Sequence, residues 1–191
     1  MLTLEDIDKQ IRKLPEYHEA RPFLCEGSPI DCKIFFIGLN PSTPISFWPY
    51  WSLEYGCNKK EWLSQTNLHY SYSLPPTRKR IERLFDILSA YRCLETNIYY
   101  MRSSELKSLP KEKRDPQFCY YLIENIAPKL IFVHGDEAIK RLGKEAKTSF
   151  IKGQFMSVKL FGNNTTIYSR HHLSYQCSYK EINELGQKFR D

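Results

Sequence analysis

An asparagine that could take part in binding or catalysis closely follows an apolar run near the start of the chain. Residues 34–38 read Ile-Phe-Phe-Ile-Gly, and Asn40 and Pro41 follow. The run predicts a short strand buried on both faces. The strand should end abruptly, because Gly38 permits an unusual backbone angle and Pro41 cannot donate to a strand pairing. Ligands of open parallel sheets bind at the carboxyl ends of the strands, where the Asn40 amide could orient a water molecule. Taken alone, Gly-Leu-Asn-Pro is also an ordinary turn sequence.

A second polar loop follows the last predicted strand, which covers residues 165–169. It contains two adjacent histidines, His171 and His172, and then Ser174. An imidazole at this position could donate a hydrogen bond to a carbonyl oxygen of a ligand, although a lone histidine is more often a structural residue. The spacing to Ser174 favours His172 as the inward ring, and His171 remains the alternative.

A third polar side chain, Asn97, lies within a run of β-favouring residues at 94–101. A buried asparagine requires hydrogen-bond partners, so Asn97 could face either its own fold or a ligand.

The composition indicates one sizeable core. With 191 residues and 41% hydrophobic content, we expect a single domain over residues 1–191 and a monomer. The sequence contains no apolar run of membrane-spanning length and no pattern typical of a signal peptide, which predicts a cytoplasmic protein without membrane association. Its six cysteines form no C-x-x-C pair, so we expect neither a metal site nor another cofactor.

Charge and aromatic content favour a polyanionic partner without proving one. The formal charge is +6, the isoelectric point is about 8.9, and 14% of the residues are aromatic. Cations beside aromatic rings are what extruded or single-stranded bases require. Arg78 and Arg80 crowd the first turns of a helix predicted after Pro75, and they form either a solvated face or an edge that contacts phosphates.

The order of elements predicts an α/β fold. Thr3 with Asp6 and Ser178 with Glu181 match the capping-box pattern, which predicts helices at 3–14 and after Ser178. Further helices are expected from 76 and at 118–126, with strands at 130–134 and in a hairpin around Gly162. Strands that alternate with helices favour a three-layer α/β/α sandwich around a mostly parallel sheet of four to five strands. Residues 47–73 show no sustained period and predict a long loop over the Asn40 loop.

Four of these stretches together resemble the uracil-DNA glycosylase superfamily. Gly38-x-Asn40-Pro41 and His172-x-Ser174 resemble the two signature loops that face each other across its base pocket. Thr96-Asn97-Ile98 resembles the strand that reads the flipped base, and residues 128–138 resemble the strand and turn between the loops. The similarity covers roughly residues 33 to 189.

The first loop is most similar to the mismatch-specific and single-strand-selective members, which also have asparagine there. Ser42 stands where those members often have glycine, and Leu173 replaces the proline of the second loop.

The resemblance implies a monofunctional DNA glycosylase that hydrolyses the bond between the sugar and uracil or a related base. Asn40 would orient the water, and His172 would donate to the departing base. Tyr72 would stack on the base, with Trp48 and Trp51 as alternatives, and Tyr175 would replace the base in the stack. The residues expected to line the base pocket are Gly38, Leu39, Pro41, Tyr72, Asn97, His171 and Ser174, and those expected to contact DNA are Arg78, Arg80, Arg170 and Tyr175. The alternative is a protein of this fold that binds nucleic acid or a nucleotide without catalysis.

Overall fold

The computed structural model describes residues 1–174 and 177–190, which form an α/β fold. The strands are β1 (Phe23–Gly27), β2 (Ile34–Gly38), β3 (Trp51–Ser52), β4 (Gly56–Asn58), β5 (Cys93–Asn97), β6 (Leu130–His134), β7 (Phe155–Leu160) and β8 (Asn163–Arg170). The helices are α1 (Leu4–Arg12), α2 (Lys59–His69), α3 (Pro76–Ile87), α4 (Gln117–Ile126), α5 (Asp136–Glu145) and α6 (Tyr179–Lys188).

The strands form a mixed sheet in the order β3-β4-β1-β5-β2-β6-β8-β7. The four neighbours β5, β2, β6 and β8 run parallel, and the remaining pairings are antiparallel. The predicted sheet of four to five mostly parallel strands is therefore too small. The strands missing from the prediction are β1, β3 and β4, which are short and lie among Gly, Pro and polar residues that obscure the period-two pattern.

Helices cover both faces of the sheet because side chains alternate along β2. Phe35 and Ile37 lie in a core with buried residues of α1, α4 and α5. Ile34 and Phe36 point to the other face and lie in a core with residues of α3 and α6. The unbroken apolar run of β2 thus reflects burial on both sides.

Two helix starts carry the predicted capping boxes. Thr3 and Asp6 cap α1 reciprocally, and Ser178 and Glu181 do the same for α6. Each box satisfies two backbone N–H groups that have no partner within the helix. None of the helices within the described ranges combines the length and apolar character needed to cross a membrane.

Residues 47–73 form a β-hairpin and a helix, so the prediction of a long irregular loop over the site is wrong. Trp48 Nε1 donates to the Tyr17 carbonyl at 2.8 Å, and Trp51 Nε1 donates to Asp8 Oδ1 at 2.9 Å. The segment is consequently packed against α1 and the residues that follow it. A single stretch holding both a hairpin and a helix shows no one period in its sequence.

Candidate functional site

Four residues form a level row at the carboxyl ends of the parallel strands. Gly38 pairs with Asn97, and His134 pairs with Arg170. Because Ile37 pairs with Val133, His134 lies beside Gly38. Residues that pair with each other on parallel strands point to the same face of the sheet. We call these four paired residues the row, and they lie on the face that packs under α3 and α6. The order across the edge is Asn97, Gly38, His134 and Arg170.

Gly38 is required by the side chains on either side of it. A Cβ atom at Gly38 would lie 2.8 Å from Asn97 Oδ1 and 3.5 Å from His134 Nε2. Both atoms therefore lie within 3.5 Å of the same point above the Gly38 Cα. Gly38 is not among the glycines with positive φ, so it does not use the unusual backbone angle that glycine permits. We call this gap between Asn97 and His134 the Gly38 notch.

The two side chains that border the Gly38 notch are buried and polar. Asn97 is 7% exposed and His134 is 4% exposed. Within residues 1–174 and 177–190, neither the Asn97 amide nor the His134 ring nitrogens make a hydrogen bond, and His134 Nδ1 is fully buried. The Asn97 amide and His134 Nε2 are not among the fully buried atoms, so both can still bind a ligand or water in the notch, which makes this pair of polar groups a candidate ligand-binding surface.

His134 is neutral at physiological pH. Burial, with a smaller contribution from His172, lowers the pKa of His134 to about 3. Its ring stacks on Phe132 with the centroids 5.8 Å apart. A neutral imidazole offers one N–H donor and one acceptor. The sequence prediction missed His134 as a site residue, although a polar residue that ends an apolar strand directly before a glycine was a usable signal.

His172 is the histidine of the second loop that faces the row. Its ring centroid lies 5.0 Å from that of His134, and its Cδ2 lies 3.5 Å from the position of a Cβ on Gly135. Gly135 has a φ of 94°, which also favours glycine. His172 Nδ1 lies 2.7 Å from Ser174 Oγ. Burial lowers the pKa of His172 as well.

His171 lies on the outer side of the same loop. Its side chain is 66% exposed, and Nδ1 lies 3.1 Å from Lys152 Nζ and 3.2 Å from Asp136 Oδ1. Neighbouring residues of an extended loop point in opposite directions, which explains the different environments of the two rings. The expectation that His171 lines the pocket is not met by this orientation.

Asn40 is held by the loop that follows β5. Its Nδ2 donates to the Ser103 carbonyl at 2.7 Å, and the Ser103 N–H donates to the Pro41 carbonyl at 2.8 Å. Leu39 accepts from the Tyr99 N–H at 2.9 Å, which continues the pairing of the two strands beyond the sheet. With its nitrogen engaged, the half-buried Asn40 amide keeps its carbonyl oxygen as an acceptor for water.

Arg78 is committed to a buried ion pair. Its Nη2 donates to Glu95 Oε1 at 2.6 Å, and its Nη1 pairs with Glu82 at 2.9 Å. Burial alone would raise the pKa of Glu95, but Arg78 and Arg21 outweigh it and hold that pKa at about 2. Arg78 is 6% exposed and cannot reach a phosphate, so its predicted role in DNA binding is wrong.

Arg80 and Arg170 hold the second loop. Arg80 Nη1 donates to the Leu173 carbonyl at 2.6 Å, and Arg170 Nη1 lies 2.8 Å from Cys177 Sγ. Both side chains are half-buried. They fix the backbone that presents His172, and their predicted contacts with phosphates stay predictions.

The aromatic candidates for stacking differ in their environment. Tyr72 is 75% exposed, and its backbone has a φ of 63°. Trp48 and Trp51 donate through Nε1 to Tyr17 and Asp8, as described above, and which of the three rings stacks on a base stays a prediction. Tyr175, the predicted wedge, lies outside the described residues.

The row, the Gly38 notch and the two loops together bring donors and acceptors to one sheet edge. No cluster of three or more metal-ligating side chains occurs in the part of the chain that the structure describes.

No protein-family model matches this sequence, and no curated protein matches it.

Proposed function

We propose that this protein is a monofunctional DNA glycosylase of the uracil-DNA glycosylase superfamily. The observation that carries the proposal is the buried Asn97 amide beside Gly38, facing a notch that the Asn40 and His172 loops adjoin. The four parallel strands with helices on both faces are consistent with the fold of that superfamily. The formal charge of +6 on this protein suits a DNA partner.

Asn97 would select the base. Its amide offers one acceptor and a donor group, which complement the N3–H and O4 of uracil. Cytosine reverses this pattern, because its exocyclic group is a donor and its N3 is an acceptor. Replacing Asn97 with Asp should therefore shift the preference toward cytosine, and an unchanged ratio of uracil to cytosine excision would remove Asn97 from the pocket.

The reaction would depend on electrostatics more than on proton abstraction. The bond between C1′ and the base breaks with its electron pair on the base, water adds to C1′, and the proton of the water ends on the released base. Asn40 can orient this water but cannot accept its proton as a carboxylate would. Missing general-base assistance costs ~10²–10⁴ in rate, so we expect a slow enzyme. His172 would donate to a carbonyl oxygen of the departing base.

A second candidate is binding of nucleic acid or a nucleotide without hydrolysis. The asparagine at position 40 favours it, since this side chain is no base. Glu95, the carboxylate two residues before Asn97, is locked in ion pairs with Arg78 and Arg21. It is thus not available to activate water.

An oligonucleotide with one uracil separates the two candidates. It is incubated with the protein and treated with hot alkali, which cleaves the strand only where the base has been removed. Strand cleavage means excision, and retardation in a gel without cleavage means binding alone. Heat-treated protein and an oligonucleotide with thymine in place of uracil are the controls.

Variants of the two adjacent histidines test the assigned role within that assay. His172→Ala should lower the single-turnover rate by ~10²–10³ with little change in affinity for abasic DNA. His171→Ala should do far less, because its ring lies on the outer side of the loop. If His171→Ala is the inactive variant, the orientation of the loop in the complex differs from that described above. If both variants excise at the full rate, the mechanism is wrong.

A further inference from the structure

His134 is a buried imidazole that no structural contact explains. It is 4% exposed, and its fully buried Nδ1 has no hydrogen-bond partner in the described chain. Ring packing on Phe132 would be served as well by an apolar residue. The other ring nitrogen, Nε2, lies at the Gly38 notch, is not among the fully buried atoms and makes no hydrogen bond within the described chain, so it is the nitrogen that a ligand or a water molecule can reach.

The position of His134 points to the same ligand as Asn97. The two side chains border the Gly38 notch from opposite sides, with His134 Nε2 at 3.5 Å and Asn97 Oδ1 at 2.8 Å from the same point. On its other side, His134 faces His172, with the ring centroids 5.0 Å apart and the planes inclined by 56°. A carbonyl oxygen accepts two hydrogen bonds, so one oxygen placed between the two rings could accept from both.

We propose that His134 contacts the bound base and donates, together with His172, to one carbonyl oxygen of it. This inference rests on the proposed function for the identity of the base, but the contact itself requires only a planar ring with a carbonyl group over Gly38. Since the pKa of His134 is about 3, the ring is a neutral donor throughout the physiological range. The electron pair that the base receives when its bond to the sugar breaks is delocalised onto its carbonyl oxygens, where two donors stabilise it.

Binding of free uracil tests the contact without any need for catalysis. In full-length protein labelled with nitrogen-15 in its histidines, uracil at millimolar concentration should shift the ring signals of His134. The exposed ring of His18 is the internal control and should not respond. A His134 ring that remains unperturbed, whether or not other signals move, would overturn the proposal.

Excision rates test the donor role. His134→Phe should fold, because it replaces an unpaired buried imidazole with an apolar ring, and should lower the single-turnover rate by ~10²-fold. His134→Gln, which keeps a donor near the position of Nε2, should recover much of that loss. The matched control is His69→Phe at an exposed helical position, which should leave the rate unchanged.

The outcomes distinguish the two proposals. If uracil shifts the His134 ring signals of the wild-type protein but this protein releases no base from DNA, the proposed function is contradicted and the contact is supported. A wild-type protein that excises uracil at a rate unaffected by His134→Phe supports the function and overturns the contact.

Discussion

The Gly38 notch can be tested by filling it with one methyl group. In Gly38→Ala the new Cβ would lie 2.8 Å from Asn97 Oδ1, which is closer than real Cβ contacts, and 3.5 Å from His134 Nε2, which is ordinary contact. The substitution introduces no backbone strain, since Gly38 is not among the residues with positive φ. The clash with Asn97 is therefore the main unfavourable term.

The magnitude follows from two opposing effects. Overpacking of a buried site costs about 1–3 kcal/mol, and replacing glycine with alanine at a compatible position stabilises by about 0.4–1 kcal/mol through the unfolded chain. Gly38→Ala alone should thus lower the free energy of unfolding by about 1–2 kcal/mol. In an Asn97→Ala background the clash is absent, so the same substitution should be neutral or stabilising by up to about 1 kcal/mol.

A double-mutant cycle measures this difference. Urea unfolding of the wild type, the two single variants and the double variant should give a coupling energy of about 2 kcal/mol. Additive effects of the two substitutions, within about 0.5 kcal/mol, would refute the inference that Asn97 occupies the space above Gly38.

Three further predictions concern the buried charges and the reaction. Glu95→Gln should lower the free energy of unfolding by about 3–5 kcal/mol, because it removes the carboxylate that the buried Arg78 and Arg21 share and leaves Arg78 paired with Glu82 alone. The exposed Arg83→Gln should change it by less than about 0.5 kcal/mol, and equal effects in urea unfolding would contradict the buried ion pairs. The pKa of His134 is about 3 against an ordinary 6.5, so between these values the unfolded state binds a proton that the native state does not. The free energy of unfolding should consequently fall as the pH drops below 6.5, by about 1.4 kcal/mol per pH unit for this group. Urea titrations between pH 4 and pH 7 should show that the free energy of unfolding of His134→Phe depends less steeply on pH than that of the wild type. Parallel curves for the two proteins would mean that the ring is protonated in the fold. Asn40→Asp should change the single-turnover excision rate more than the affinity for DNA, because it alters water activation and no phosphate contact; a large loss of affinity at an unchanged rate would contradict this role.

Several elements could be predicted because their signals are local. The apolar run of β2, the capping boxes at Thr3 and Ser178 and the hairpin around Gly162 each depend on residues close together in the chain. The placement of Asn97 in a strand and of His172 after one also follows from local sequence patterns. The two short strands β3 and β4, at one end of the sheet, carry too few residues to show a period, which is why the hairpin within residues 47–73 was not predicted.

The remaining properties depend on residues distant in the sequence. The cluster of arginines at the start of α3 does not reveal that Arg78 is buried against Glu95, which lies on a neighbouring strand. The pairing of Asn97 with Gly38 and of His134 with Arg170 is set by strand register, and register results from the packing of the whole sheet.

The sequence by itself determined the α/β class, the apolar strand that ends at Gly38 and the polar residues that follow the strands. These features arise from local periodicity and from backbone preferences of individual residues. Only the tertiary structure decided that His134 joins the row, that His172 faces it while His171 does not, and that Gly38 makes room for side chains of its neighbours. The physical reason is that burial and side-chain contact are properties of the packed sheet. Packing brings together residues that are distant in the chain, such as Asn97 and His134, which lie 37 positions apart and border Gly38 from either side.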